Sequence, residues 1–245
     1  MNIIGIIPSR YASTRFPAKP LIDIAGKSMI QRVYEQAKKS KSLADVVVAT
    51  DDKRIEEHVR SFGGNVVMTK ESHQSGTDRC FEAVQKYSSS ADVVINIQGD
   101  EPFIQPEQID LVASCFSSES TQIATLVSIM KSQDDLFNPT VPKVIITNTK
   151  EAIYFSRHAI PFVRGKEEAE WLSTTTFYKH IGIYAYRTKV LAEITALKQS
   201  SLELAESLEQ LRWIENGYKI KVEVTDLESV AIDTPEDLKK LSRFL

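Results

Sequence analysis

The feature that most constrains this chain is the spacing of its apolar runs. Short runs occupy residues 3–7, 46–49, 66–68, 93–97 and 123–129, and helical patterning fills the stretches 28–39, 53–62, 77–87 and 106–116 between them. Several runs are nearly continuous in Ile and Val, the pattern of strands covered on both faces in a largely parallel sheet. Pro106 opens the last of the four helical stretches, where a missing N–H costs nothing. This strand–helix alternation predicts an α/β fold with a doubly wound, mostly parallel sheet.

After about residue 130 the rhythm changes. Strands are expected at 144–146, 152–155, 181–186 and 219–224, and helices at 191–197, 205–216 and 235–244. Residues 156–179 read as loop, with Pro161, Gly165 and a run of threonines at 174–176. No Gly/Ser linker or repeat divides the chain. The expectation is one domain over residues 1–245, with a smaller sheet extension at about 140–190 for specificity and subunit contact.

Composition narrows the partners. The 245 residues are 42% hydrophobic and 26% charged, the balance of a globular protein. A net charge of -3 argues against nucleic acid as a partner, since duplex-binding proteins carry a basic excess. Cys80 and Cys115 lack the close spacing of a zinc site or disulfide framework, so two free thiols in a reducing compartment are expected. The first residues show no basic segment before their apolar run, and no run approaches the roughly 18 residues of a membrane span. A cytoplasmic protein without membrane contact is expected.

The loop after the first strand concentrates charge. Following Pro8, the segment from Ser9 to Pro20 carries Arg10, Arg15 and Lys19, at the strand end where open α/β sheets bind ligands. Small residues, Ser9, Ala12, Ser13 and Ala18, let backbone N–H groups approach an anion. Arg supplies a planar fork for phosphate oxygens and Lys a compact charge, a set suited to a triphosphate. The loop has no glycine between Gly5 and Gly26, so it is neither a P-loop nor a nicotinamide-binding GxGxxG turn. The alternative is a solvated basic surface loop.

Two carboxylates face the same need. Asp100 follows the run 93–97 and lies on the rim that the basic loop occupies. Mg2+ takes one or two carboxylates plus phosphate oxygens, which fits a triphosphate site. Asp233, before Thr234 and Pro235, reads from its spacing either as a helix cap or as a second metal ligand. The polar segment from His73 to Arg79 reads as a capped helix start, with Ser75 or Thr77 as cap, or as the rim of a base pocket.

These stretches resemble a known family. IIPSRYASTRFPAKPL, VATDD, MTKESHQSGTDR, NIQGDEPFI, YFSRHAIPF, KHIGIYAYR, LELAESLEQLR and IDTPEDL resemble the 3-deoxy-manno-octulosonate (Kdo) cytidylyltransferases of the sugar nucleotidyltransferase superfamily, nearly end to end. The resemblance implies CMP transfer from CTP to the anomeric 2-hydroxyl of Kdo, with Mg2+ as cofactor and a homodimer as assembly. It makes Arg10, Lys19 and Asp100 catalytic, and Asp100 and Asp233 the metal ligands, with Thr234 then the better helix cap. The nucleotide falls to Pro8, Ser9, Arg10, Arg15, Lys19, Ser75, Gly76, Arg79 and Gln98. The acid sugar falls to Arg157, Arg164, His180, Tyr184, Glu209 and Gln210. Arg212 is expected to form an ion pair instead. The family usually has Gly at Ala18, and Ala there implies a backbone that does not need positive φ. Alternatives are the same chemistry on 8-amino-Kdo or a sialic acid and, more remotely, a nicotinamide-dependent oxidoreductase or a non-catalytic nucleotide-binding protein.

Overall fold

Strand β1 (Ile3–Ser9) is apolar on both faces, and it occupies the middle of the sheet. A computed structural model describes residues 1–12, 16–227, 231–232 and 234–238 of the chain. After β1 a small hairpin, β2 (Asp23–Ile24) and β3 (Lys27–Ser28), leads into α1 (Met29–Ala37), capped by the Ser28 hydroxyl. Then follow β4 (Asp45–Thr50), α2 (Lys53–Ser61), β5 (Val66–Met68), α3 (Gly76–Tyr87), β6 (Val93–Asn96) and α4 (Pro106–Ser114). These match the expected alternation to within a few residues.

The second half comprises β7 (Ile123–Ile129), α5 (Gln133–Phe137), β8 (Lys143–Ile146), β9 (Ala152–Ser156), α6 (Trp171–Thr174), β10 (Tyr178–Arg187), α7 (Thr188–Thr195), α8 (Ser201–Glu206), α9 (Gln210–Glu215) and β11 (Ile220–Val224). The main sheet runs β11-β7-β10-β6-β1-β4-β5. Its neighbours are parallel except around β10, which is antiparallel to β6, β7 and β8. β8 and β9 form the extension, antiparallel to each other and joined to the sheet through β10.

Each sheet face buries its own core. Ile3 and Ile7 point to the layer of α1, α2 and α4, while Ile4 and Ile6 point to α3, α7 and α9. Burying one such side chain contributes about 1.5–3 kcal/mol, which fixes strand register as well as layer. Cys80 and Cys115 are buried free thiols, and burial pushes the Cys115 thiol up to about 11.

Two expectations need correction. The helix expected over 205–216 is two short helices. Ser207, in the left-handed region at φ 51°, ends α8, and α9 begins at Gln210. The break is held from outside: Arg157 donates to the carbonyls of Glu206 and Ser207 at 2.6 and 3.2 Å. Arg212 on α9 pairs with Glu203 on α8 through bonds of 2.8 and 2.6 Å, the ion pair expected of it. Ala18 also departs from expectation. Its φ is 59°, so an L-residue occupies the conformation that glycine adopts freely. Of the closing helix expected at 235–244, residues 235–238 form a 3-10 turn and 239–244 lie outside the described residues. Thr234 stands at its start, with its N–H and hydroxyl both donating to Asp237 at 2.9 and 3.0 Å.

Candidate functional site

The carboxyl ends of β1 and β6 lie side by side because the two strands are parallel neighbours. Their loops therefore form one rim. Gly99 permits the close approach: a Cβ there would stand 2.9 Å from the Pro8 carbonyl oxygen, closer than real Cβ atoms come to backbone. Pro8, Ser9, Arg10, Lys19, Gln98 and Asp100 line a cavity of about 180 Å³ at this junction. Lys19 donates to Asp100 at 2.8 Å, so the rim holds one cation against one carboxylate. Arg10 donates to the carbonyl of His73, tying the basic loop to the segment before α3. Ile232 donates to the Asp100 carbonyl at 2.9 Å, which returns the chain to this rim. Arg15 and Asp233 lie outside the described residues.

A second cavity, of about 410 Å³, opens on the other side of Gln98. Gly76, Gln98, Asp100, His180, Tyr184 and Glu209 all contribute to its wall. Gln98 lines both cavities and donates to the Gly182 carbonyl at 2.9 Å. A register shift in β10 between Ile181 and Tyr184 puts Gly182 and His180 on this wall. Such bulges re-aim side chains at sheet rims.

Burial sets the charge of this second cavity. The His180 imidazole is pushed down to about 3 by desolvation, so it is neutral, with Nε2 3.0 Å from the Thr125 hydroxyl. Desolvation raises the Glu209 carboxyl, opposed by hydrogen bonds from Thr77 and Ser75 and by nearby Arg212. Thr77 donates to Glu209 at 2.8 Å, and Ser75 caps α3 by accepting from Asp78 N–H at 3.1 Å.

Four expected ligand residues are placed elsewhere. Arg79 is fully buried (0% exposed), and it donates to Thr69 at 2.6 Å and Asp51 at 2.5 Å, fixing α3 to the strand ends. Arg157 reaches the carbonyls of Pro139, Glu206 and Ser207 and braces the α8–α9 corner. Gln210 is buried and lines neither cavity, whereas its neighbour Glu209 lines one, consistent with the 100° step between helical residues. Arg164 is exposed on the loop before α6, away from both cavities. Arg79 and Arg157 are thus satisfied internally, and Arg164 is turned to solvent.

The reading from sequence missed Asn96, Thr77, Pro142 and Gly182 on the larger cavity's wall. Asn96 had a signal, as a polar residue inside the buried run Val93–Ile97.

Comparison with known proteins places these features. Residues 4–220 match the family model described as Cytidylyltransferase. A 3-deoxy-manno-octulosonate cytidylyltransferase of Parabacteroides distasonis is 63% identical, with 100% of this chain and 98% of that relative aligned. One of Cytophaga hutchinsonii is 56% identical over 99% of this chain and 97% of its own length. A solved structure of CMP:2-keto-3-deoxy-manno-octonic acid synthetase complexed with CTP superposes with a TM-score of 0.92 at 40% identity, covering 100% of this chain and 98% of that one. A 4-diphosphocytidyl-2C-methyl-D-erythritol synthase structure from Anaerococcus prevotii, 13% identical with a TM-score of 0.65, shares the fold.

Proposed function

The chain belongs to the 3-deoxy-manno-octulosonate cytidylyltransferase family, and from that premise we propose that it transfers CMP from CTP to the anomeric 2-hydroxyl of Kdo, releasing pyrophosphate. The observation that carries the proposal is the pair of cavities meeting at Gln98 and Asp100, one lined by the cations Arg10 and Lys19, the other mainly by buried polar side chains, Asn96, Thr77, Tyr184 and Glu209, with His180. The first suits a triphosphate, the second a polyhydroxylated acid sugar. None of the relatives described above favours a nicotinamide-dependent activity.

In this reading Arg10 and Lys19 bind the phosphates and stabilise charge on the leaving pyrophosphate, with Arg15 assisting. Ser9 and Pro8 shape the loop against the nucleotide, whose base and ribose would reach the Gly76 end of the larger cavity, at the helix start that Ser75 caps. His180, Tyr184 and Glu209 orient the sugar so that its 2-hydroxyl oxygen stands in line with the α-phosphorus. The new bond joins that oxygen to the α-phosphorus, the bond from α-phosphorus to the bridging oxygen breaks with its electron pair leaving on pyrophosphate, and the hydroxyl proton passes to water.

Asp100 is partly exposed on the phosphate rim, and a lone carboxylate beside a triphosphate is a donor set that Mg2+ accepts. Asp100 with Asp233 would hold the ion, which when bound would neutralise phosphate charge and lower the pKa of the attacking hydroxyl. Among the described residues no helix is long and apolar enough to cross a membrane. The proposal includes a cytoplasmic location and a homodimer. Apolar side chains exposed around the extension, Ile129, Ile153 and Phe162, support the latter. Sedimentation of the purified chain at the mass of a monomer would remove the dimer.

The test of the activity is pyrophosphate release from CTP and Mg2+ with a panel of acid sugars. Turnover with Kdo well above that with 8-amino-Kdo or a sialic acid is expected. Faster turnover with either analogue would overturn the substrate assignment.

A further inference from the structure

One row of residues crosses the sheet beneath the larger cavity. In register it runs Val47, Ile6, Asn96, Tyr184, Thr125 and Val222, from β4 to β11. Its ends are apolar, as a buried row should be. Its middle is polar, and all three polar residues are at least nine-tenths buried: Asn96 5%, Tyr184 6% and Thr125 0% exposed.

The three are not equivalent. Thr125 is satisfied within the sheet, donating to the Ile183 carbonyl at 2.7 Å. Asn96 Oδ1 has no hydrogen-bond partner among the described residues, and the Tyr184 hydroxyl, which lies near Thr125, makes no hydrogen bond of good geometry. A buried polar group left unpaired costs about 1–3 kcal/mol, so a core position would favour an apolar residue there. Both residues contribute to the wall of the larger cavity, and they are direct cross-strand neighbours. Gly76, at the start of α3, borders the same spot: a Cβ there would meet Asn96 Nδ2 at 3.6 Å, ordinary contact distance.

We propose that Asn96 is a specificity-determining residue of the sugar site, its side-chain amide hydrogen-bonding a hydroxyl of the acceptor beside Tyr184. This rests on the two-cavity reading above and adds a contact to it. An amide carries both a donor and an acceptor, and a sugar hydroxyl can use either. The unpaired amide oxygen is thus a cost that the ligand-free protein carries and a donating sugar hydroxyl removes. A site built to bond a hydroxyl discriminates strongly against an acceptor that lacks it.

The test compares the wild-type chain with Asn96→Leu, an apolar side chain of similar size. Melting temperature without ligand is measured first, then KM for Kdo and for CTP by pyrophosphate release. The expected variant melts at the same temperature or higher and shows a KM for Kdo raised roughly tenfold or more. Its KM for CTP stays within about twofold, the experimental margin for a site left intact. Kdo should also raise the melting temperature of the wild type more than that of the variant.

A KM for Kdo within about twofold of wild type overturns the inference, and so does a rise confined to CTP. A lower melting temperature with unchanged KM would assign Asn96 to the core. If Asn96→Leu does not fold, Asn96→Ala is read in the same way. Wild-type turnover with a different acid sugar would displace the Kdo reading, and the comparison would then be made with that sugar.

Discussion

The two cavities that meet at Gln98 solve opposite problems. The smaller sits on loops at strand ends, where Lys19 pairs with Asp100 at 2.8 Å and both side chains stay partly exposed. The larger is cut into the sheet itself, where burial drives His180 neutral, raises Glu209 and leaves Asn96 unpaired. Charge recognises a ligand at long range and tolerates imprecise geometry. Buried neutral groups act only at contact and reject poor fits. A phosphate chain suits the first method and a sugar the second.

The largest effect should come from stripping charge from the rim. Lys19→Ala is expected to lower kcat by about 10³-fold or more with little change in melting temperature, measured by pyrophosphate release and thermal unfolding. Asp100→Asn keeps the shape and removes the charge, and a loss of about 10²-fold with a shifted Mg2+ dependence is expected. Near-native turnover would sever the rim from metal binding.

On the other side of Gln98, Glu209→Gln should raise the sugar KM about tenfold while sparing that for CTP. Because burial raises the Glu209 carboxyl, the native state disfavours its ionised form, so the same variant should melt higher at neutral pH. An equal rise in both KM values would deny the division between cavities.

A smaller effect separates the two by acid. His180 is neutral in the fold down to about 3, while an unfolded chain protonates it in the usual histidine range near 6.5. Between those values the unfolded state binds the extra proton, so stability falls as pH falls. Replacing His180 by Asn should flatten the decline in melting temperature from pH 6.5 to 4.5, in the same window. An unchanged slope would mean the imidazole is not sealed from water. The smallest effect belongs to the phosphate loop: Ala18→Gly should stabilise by roughly 0.5–1 kcal/mol, since φ 59° strains an L-residue. A loss of stability there, in denaturant unfolding, would mean chain entropy outweighs the strain.

How far these regions were legible follows from what holds each together. The first half alternates because every crossover helix must cover a parallel strand, and that leaves a periodic trace in Ile and Val. The charged rim was legible for a related reason, since ligand-binding loops follow strand ends in order along the chain. The second half hides its logic in side-chain bonds to carbonyls. Nothing in the sequence distinguishes an arginine that meets a sugar from Arg157, which braces Pro139, Glu206 and Ser207. Likewise Arg79 reads as a ligand residue beside Ser75 and Gly76, and only the fold reveals that Asp51 and Thr69 claim it. The α8–α9 corner was missed because the left-handed Ser207 carries no glycine to announce it.

Gln98, held to the Gly182 carbonyl, and Asp100 form a party wall between two tenants. Whatever one substrate does to that partition, the other meets. By reciprocity of equilibrium coupling, any factor by which CTP alters sugar affinity must equal the factor by which the sugar alters CTP affinity. That equality belongs to the affinities, and a measured coupling in one direction fixes the other.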